Sequence, residues 1–237
     1  MKWSKRRSFG QHMLKDYKIL TKIIDASQIS REETVYEVGT GTGVLTEELC
    51  KYAKIVTSFE VDREIFRKVS SLSYCYPNLK LINADIFKFH HLEFDVFISN
   101  IPYSRSKDVL QWLPFQKFKR AVIMTQKEFV DKLLAKPGEK NYRAVTVLSQ
   151  YYFTIERLFN VSKEAFDPQP PVESTLVRLI PRSVTINKNT VAKLNFLFSQ
   201  RNKKASSILK RFDTKIRYGD KKIDQLTVKE LMEISEE

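Results

Sequence analysis

The chain has 237 residues, 42% of them hydrophobic, which is enough for one sizeable core and a small appendage. Lysine and arginine total 41 against 28 aspartate and glutamate, and the resulting net charge of +13 favours a polyanionic partner, nucleic acid first and an anionic membrane second. Two cysteines exclude a disulfide framework, and no run approaches the roughly 20 apolar residues that a membrane span needs.

The cysteines and the N-terminus indicate a compartment. Cys50 and Cys75 fall in helix-like stretches and lack metal-ligand spacing, so we expect packed thiols in a reducing environment. The basic N-terminus is followed by no long apolar run, which argues against a secretory signal. We therefore expect a cytoplasmic protein that does not associate with a membrane.

Short apolar runs alternate with helix-like segments as far as about residue 180. The predicted strands are Thr34–Val38, Ile55–Val61, Lys80–Ala84, Phe94–Asn100, Arg120–Thr125, Tyr152–Leu158 and Thr175–Ile180. The predicted helices among them are Tyr17–Ser27, Val44–Tyr52, Arg63–Leu72, Lys107–Trp112 and Lys127–Ala135. This alternation predicts an α/β fold with a mostly parallel seven-stranded sheet. The proline-rich link 167–171 replaces a helix between the last two strands and predicts an antiparallel last pair.

The pattern changes after Arg182. Helices are predicted at Val191–Gln200, Ala205–Phe212 and Lys229–Ile234. Between Arg182 and Arg217, ten lysines or arginines stand against one acid. We therefore predict two domains, a first domain of residues 1–182 and a small helical domain of residues 183–237 with a basic face.

A glycine turn and two acids follow the first three strands. Gly39 and Gly41 lie in a turn that opens a helix, where glycine allows positive φ and close approach of a ligand. Glu60 and Asp85 end the next two strands and can accept hydrogen bonds from ribose hydroxyls and an adenine amine, with Ile86 against the ring. Each acid alone can equally be a helix cap or a solvated group. In this order, the three features frame one adenosine.

The cofactor that fits this frame best is S-adenosylmethionine. It carries an adenosine and an amino-acid end but no phosphates. Val44 stands where the dinucleotide fingerprint needs glycine or alanine, and the chain has no P-loop sequence. A nicotinamide cofactor is thereby disfavoured, and a P-loop triphosphatase is unsupported.

The segment Asn100-Ile101-Pro102-Tyr103 follows the fourth strand. The Asn100 side-chain oxygen and the Ile101 carbonyl can accept the two protons of an adenine amine and free its delocalised lone pair. Pro102 disfavours a helical conformation at Ile101, and Tyr103 can stack on the base. An ordinary strand-to-turn exit explains the same residues when they are taken alone. Methyl transfer by this route needs positioning and no metal.

Phe166 precedes the proline-rich link. It can close on the second face of the base, or it can be a core phenylalanine before a turn. The sequence supports both interpretations equally.

Several segments together resemble one family, the ribosomal RNA adenine methyltransferases. These comprise the small-subunit dimethyladenosine transferases and their macrolide-resistance relatives that act on large-subunit RNA. The matching segments span about the first 180 residues: 9–14, 37–46, Glu60, Asp85, 100–103 and 166–174. Residues 126–128, 135–138 and 198–204 are similar to the small-subunit branch. The resemblance implies a Rossmann-like, S-adenosylmethionine-dependent methyltransferase, with residues 1–182 as the catalytic domain and residues 183–237 as a small RNA-contacting domain.

The resemblance also implies roles for individual residues. Gln11, His12 and Leu14 would line the methionine end of the cofactor, above Gly39 and Gly41. Val61 and Ile86 would lie beside Glu60 and Asp85 at the adenosine, and the residues at the target base would be Asn100, Ile101, Tyr103 and Phe166.

The implied substrate is a pair of adjacent adenosines near the 3′ end of small-subunit ribosomal RNA, each dimethylated during ribosome biogenesis. The expected partner is the immature small subunit, bound by a monomer. Ser104-Arg105-Ser106 departs from the family's usual Asn-Ile-Ser/Thr, and Asn202 replaces an arginine. Three alternatives stay open: a large-subunit RNA enzyme, a DNA adenine methyltransferase, and a non-catalytic relative that binds RNA or a polymerase as a transcription factor.

Overall fold

The structure of the protein, a computed structural model, describes residues 12–185, 187–209 and 220–236. The described residues form two compact units, one drawn from residues 1–127 and 156–180 and the other from residues 128–155 and 181–237. Residues 128–155 therefore belong to the second unit, whereas the sequence analysis placed them in the first domain. The assignment of separate functions to the two domains stays a prediction.

A seven-stranded sheet has the order β4-β3-β2-β5-β6-β9-β7, and β1 pairs separately with β8. The strands are β1 (Met13–Leu14), β2 (Thr34–Val38), β3 (Ile55–Phe59), β4 (Leu79–Ile82), β5 (Val96–Asn100), β6 (Arg120–Gln126), β7 (Phe153–Val161), β8 (Phe166–Asp167) and β9 (Ser174–Pro181). Strands β2 to β6 pair in parallel, and β9 is antiparallel to β6. The predicted mostly parallel sheet with an antiparallel end is confirmed.

Apart from shifts of one to three residues at their ends, the helices differ from prediction in two places, and residues 210–212 of the predicted helix Ala205–Phe212 lie outside the described residues. They are α1 (Tyr17–Ser27), α2 (Val44–Tyr52), α3 (Arg63–Val69), α4 (Leu72–Cys75), α5 (Ser106–Trp112), α6 (Lys127–Leu133), α7 (Ala144–Tyr152), α8 (Lys188–Ser199), α9 (Ala205–Leu209) and α10 (Val228–Glu236). The predicted helix Arg63–Leu72 is divided between α3 and α4. Helix α7 was not predicted, because its buried residues lie on most of its surface and leave no amphipathic period.

Local sequence signals fix where helices α1 and α2 begin. Asp16 caps the start of helix α1, since its carboxylate accepts hydrogen bonds from the N–H groups of Lys18 at 2.8 Å and Ile19 at 3.3 Å. Helix α2 begins after Gly43, which has φ +86° and would place a Cβ atom 2.5 Å from Leu72 Cδ1. Glycine is therefore required where the turn enters α2.

The core of the first unit lies around the central strands. Val35 and Val96 face each other across β2 and β5 and are fully buried, as is typical of parallel strands covered on both faces. Cys50 joins this core, whereas Cys75 is exposed at the end of the short helix α4. The expectation of two packed thiols is therefore wrong for Cys75.

The second unit has its own core. Helices α7, α8 and α10 contribute Leu148, Leu194 and Leu231, each 2% exposed or less, and Tyr142 is also fully buried. Within the described part of the chain, no helix combines the length and apolar character that crossing a membrane requires.

The two-residue strands β1 and β8 form an antiparallel pair that was not predicted. Leu14 pairs with Phe166 and Met13 with Asp167, and the N–H of Lys15 donates to the Ala165 carbonyl at 2.9 Å. This pairing fixes the segment that follows His12 next to the loop that precedes β9.

Candidate active site

The carboxyl ends of β2, β3 and β4 lie at one level. In the parallel register, Val38 pairs with Phe59 and Phe59 with Ile82. The ladder continues one residue further, since the N–H of Gly39 donates to the Phe59 carbonyl and that of Glu60 to the Ile82 carbonyl. Strand order reverses between β2 and β5, which is where open α/β sheets bind ligands.

A cavity of about 200 Å³ opens at this edge of the sheet. Ten of the thirteen predicted site residues line it: His12, Gly39, Gly41, Glu60, Val61, Asp85, Ile86, Asn100, Ile101 and Tyr103. Leu14 lines a smaller pocket of about 40 Å³ that shares Gly39, Gly41 and Asn100 with the cavity. Gln11 lies outside the described residues.

The glycine turn forms a cradle at one end of the cavity. Gly39 and Gly41 have φ of +83° and +57°, which glycine adopts far more readily than other residues. A Cβ atom at Gly41 would lie 2.9 Å from Met13 Sδ, whereas one at Gly39 would meet nothing within 4 Å. The backbone at Gly39 is thus open to a ligand, whereas at Gly41 the positive φ favours glycine and a Cβ atom would also displace the end of the flexible Met13 side chain.

Glu60 is 3% exposed and is held in place by backbone donors. Its Oε1 accepts the Asp62 N–H at 2.9 Å, and its Oε2 accepts the Gly41 N–H at 3.3 Å. Burial raises the pKa of Glu60, and the two backbone hydrogen bonds oppose that rise. A fixed carboxylate with remaining lone pairs suits the two hydroxyls of a ribose.

Asp85 ends the adjacent loop and caps a short 3₁₀ turn, Ile86–Lys88. Its Oδ1 accepts the Phe87 N–H at 3.1 Å. Ile86 is 1% exposed and forms an apolar wall of the cavity. A nearby guanidinium, that of Arg105, lies 3.3 Å from Asp85 Oδ2. The site therefore offers an acceptor beside an apolar surface, as the edge and face of an adenine ring require.

The Asn100–Tyr103 segment is fixed by its side chains and backbone. Asn100 Nδ2 donates to the His12 carbonyl at 3.0 Å. Because that carbonyl can only accept, the other amide atom, Oδ1, is the acceptor left for a ligand, and it has no donor among the described residues. The Ile101 N–H donates to the Met124 carbonyl at 3.1 Å, which continues the pairing of β5 with β6.

Tyr103 is held by a partner that the sequence analysis did not assign. Its hydroxyl lies 2.8 Å from Ser174 Oγ, at the start of β9, where Ser174 is fully buried. The His12 ring lies 5.4 Å from the Tyr103 ring at 33°, and its Nδ1 lies 2.8 Å from the Pro168 carbonyl. Burial raises the pKa of Tyr103. Ser174 belonged to a matching segment, but nothing in its spacing indicated this contact.

A buried polar network lies beneath the glycine turn and was not predicted from the sequence. Glu37 is 1% exposed, and its Oε2 accepts hydrogen bonds from Thr46 and Ser58, each at 2.6 Å. Ser58 Oγ also lies 2.7 Å from Thr40 Oγ1. Burial raises the pKa of Glu37 to about 7. An acid just before a glycine turn is the only sequence signal for this network, which ties the turn to α2 and β3.

The structure favours the core interpretation of Phe166. The ring is 1% exposed and packs in the hydrophobic core of the first unit, where its neighbour across β1 and β8 is Leu14. Phe166 is not among the residues that line the cavity, and its role at the target base stays a prediction.

The sequence contains two basic clusters that we expect to contact phosphates: Lys2, Lys5, Arg6, Arg7, Lys15 and Lys18, and Arg201, Lys203, Lys204, Lys210 and Arg211. They are only partly available to a phosphate. Arg201 lies 3.3 Å from Asp224, and Lys204 lies 2.7 Å from Asp220, while Lys203 is exposed. Lys15 and Lys18 are exposed next to His12 in sequence. The cluster members at positions 2, 5–7, 210 and 211 lie outside the described residues.

Across the ranges that the structure describes, no group of three or more His, Cys, Asp or Glu side chains can hold a metal ion.

Comparison with known proteins places the chain in a family. A family model described as ribosomal RNA adenine dimethylase matches residues 2–237. A Thermotoga maritima protein named ribosomal RNA small subunit methyltransferase A is 33% identical over 235 residues, which cover 98% of this chain and 84% of the relative.

Solved structures agree with the fold. A dimethyladenosine transferase from Plasmodium falciparum has a TM-score of 0.80 and 28% identity, over 94% of this chain and 96% of that one. The 23S rRNA methyltransferase ErmE has a TM-score of 0.65 at 22% identity, over 95% and 100%, and supports the fold alone. Since the family match extends over nearly the whole sequence, this chain is a member of the ribosomal RNA adenine dimethylase family.

Proposed function

We propose that this protein transfers methyl groups from S-adenosylmethionine to the exocyclic amine of adenosines in small-subunit ribosomal RNA. Two adjacent adenosines near the 3′ end, each dimethylated, are the proposed targets. Family membership and the name of the Thermotoga relative support this activity over the large-subunit alternative.

One observation carries the proposal. The strand register brings the glycine turn, Glu60 and Asp85 to a single cavity, and Asn100 and Tyr103 line that same cavity. Groups suited to an adenosine and groups suited to a second flat base thus line one opening, at the end of the sheet where α/β folds bind such ligands.

The residues present fit the cofactor. Glu60 is fixed where it can accept the ribose hydroxyls, Asp85 offers Oδ2 to the adenine amine, and Ile86 packs against the ring. The open backbone at Gly39 leaves room for the chain that joins ribose to the amino-acid end. When bound, S-adenosylmethionine supplies an activated methyl group on its sulfonium.

Asn100 and Tyr103 act on the target base. With Nδ2 bonded to His12, Asn100 presents Oδ1 to one amine proton, and acceptance of that proton localises the nitrogen lone pair. The carbonyl of Ile101 is the proposed second acceptor. Tyr103 supplies a stacking surface, and its bond to Ser174 fixes the ring before the base arrives. The adenine that reaches this site must be turned out of its stack, which costs least in a loop.

The predicted helical domain, residues 183–237, is proposed to contact RNA phosphates, which position a nucleic acid without reading its sequence. Lys203 and Lys204 are the exposed cations of the described C-terminal cluster, and Lys204 is paired with Asp220. The monomeric state and cytoplasmic location stay predictions, which light scattering and cell fractionation can check.

The test is transfer of label from labelled S-adenosylmethionine to four substrates: immature small subunits, mature small subunits, large-subunit RNA and duplex DNA. Label in adenosine of the immature small subunits alone is the expected result. Label in large-subunit RNA alone would select the alternative enzyme, and RNA binding without label would indicate a non-catalytic relative. Asn100→Ala serves as the inactive control.

A further inference from the structure

Arg105 is a cation at the rim of the cavity that the proposed transfer does not use. It ends a short 3₁₀ turn, Tyr103–Arg105, whose last N–H donates to the Pro102 carbonyl at 2.8 Å. Its guanidinium carbon lies 4.5 Å from the centre of the Phe87 ring, which in turn meets Trp112 edge-on at 5.8 Å. The guanidinium therefore rests on a ring that is itself packed in place.

The same guanidinium covers the acceptor that an adenine amine needs. Arg105 Nη2 lies 3.3 Å from Asp85 Oδ2 and 3.5 Å from Oδ1. Oδ1 already accepts the N–H of Phe87, so Oδ2 is the less occupied oxygen. Arg105 and an incoming amine would thus compete for one side of one carboxylate.

The contacts that hold Arg105 there are imperfect. Strong charge-assisted hydrogen bonds measure about 2.7–2.9 Å, shorter than either distance to Asp85. Arg105 Nε lies 2.7 Å from Asp108 Oδ2, yet its N–H is not aligned on that oxygen and has no acceptor among the described residues. The side chains of Arg105, Asp85 and Asp108 are 37%, 24% and 47% exposed, so water and salt weaken both pairs.

We propose that Arg105 is a gate on the adenine subsite. It holds Asp85 while the cavity is empty of adenosine, and yields Asp85 to the adenine amine while it stays on Phe87 and Asp108. A second carboxylate within reach makes the exchange inexpensive, because the guanidinium can then align two N–H groups with Asp108. This inference rests on the proposed function, since it takes the cavity to be the site of an adenosine cofactor.

Calorimetry with S-adenosylhomocysteine, which has no net charge, tests the gate on the full chain. Arg105→Met keeps the stem over Phe87 and removes the competing cation. We expect it to bind the probe about two- to fivefold more tightly, the range of a partly exposed ion pair. The affinity of Arg105→Lys for the probe should lie between that of the wild type and that of Arg105→Met. Lys107→Met is the matched control. The substitution removes the same charge from a neighbouring residue, and Lys107 is exposed and does not line the cavity.

Salt provides a second readout that a merely structural role would not move. Between about 0.01 M and 1 M salt the screening length falls from about 30 Å to about 3 Å. Affinity of the wild type and of Lys107→Met should rise relative to Arg105→Met over this range. Weaker binding by Arg105→Met would show that Arg105 holds the ligand, and equal affinity with equal salt dependence would show that no exchange occurs. Either result overturns the gate.

Asp85→Ala separates this inference from the proposed function. If the wild type binds no probe, or if binding is indifferent to Asp85→Ala, the proposed adenosine site itself fails. If binding requires Asp85 while Arg105→Met behaves as the wild type, the gate alone fails. Thermal unfolding of each variant, expected to match the wild type within a few degrees, shows that the fold is retained.

Discussion

Replacement of Glu37 by glutamine should change how the stability of the protein depends on pH. Glu37 is buried beneath the glycine turn, where two hydroxyl groups donate to Oε2 and Oε1 has no partner among the described residues. Burial raises its pKa to about 7. Glutamine imitates the protonated carboxyl, since it keeps an acceptor for Thr46 and Ser58 and carries no charge.

The sign and size of the contribution of Glu37 to stability follow from its pKa values in the folded and unfolded states. The carboxyl has a pKa of about 7 in the folded chain against an ordinary 4.5. Between these values the folded state binds the proton more tightly, so this contribution is fully present below about pH 4.5 and is lost as pH rises through about 7. At about 1.4 kcal/mol per pH unit, a gap of about 2.5 units amounts to about 3 kcal/mol at most.

Urea unfolding of wild type and Glu37→Gln, at intervals from about pH 5 to about pH 8, measures this loss. The free energy of unfolding of the wild type should fall relative to the variant by about 2–3 kcal/mol over that range. Glu64→Gln, which removes an exposed carboxylate in α3, is the control and should follow the wild type. A wild-type-minus-Glu37→Gln difference that does not change with pH would refute the account of a buried carboxyl that is neutral near pH 6.

Three further predictions concern the cavity. Asn100→Ala should abolish methyl transfer while calorimetry shows cofactor affinity within about tenfold, because the lost bond to His12 is worth about 1 kcal/mol; loss of cofactor binding would contradict this. Tyr103→Phe and Ser174→Ala should each lower kcat/KM about two- to tenfold and their effects should not add, since both remove one hydrogen bond. Tyr103→Ala should cost more, by about 1–3 kcal/mol of lost stacking, and equal losses in Phe and Ala variants would count against a stacking role. Gly41→Ala should weaken cofactor binding, because Gly41 has a φ of +57° and an added Cβ atom would lie 2.9 Å from the Met13 sulfur. The free energy of unfolding should fall by about 1–2 kcal/mol in chemical unfolding. Unchanged cofactor affinity would contradict a role of the glycine turn in binding.

The fold was largely predictable because strand and helix periods alternate clearly. Helices α1 and α2 and strand β2 begin and end where the sequence places them, since caps, glycines and apolar runs coincide there. Helix α7 was missed, as its β-branched and aromatic residues are buried on most sides and also suit a strand. Sequence periodicity carries no signal for the two-residue pair β1–β8, which depends on residues distant in the chain.

The part of the site that could be predicted consists of residues at the carboxyl ends of the parallel strands. Glu60 and Asp85 follow successive parallel strands, so their convergence with the glycine turn comes from topology. The burial of Phe166 in the core of the first unit depends on residues distant in the chain, so the local sequence could not decide between its two interpretations. The contact of Tyr103 with Ser174 likewise joins residues 71 positions apart, beyond the reach of local patterns.

The most direct test of the central claim is nucleoside mass spectrometry of small-subunit RNA after incubation of immature subunits with the cofactor and either wild-type protein or Asn100→Ala. We expect N6,N6-dimethyladenosine with the wild type and unmodified adenosine with the variant. Methylation on a ribose or another base, or N6-methylated adenosine formed equally by Asn100→Ala, would contradict it.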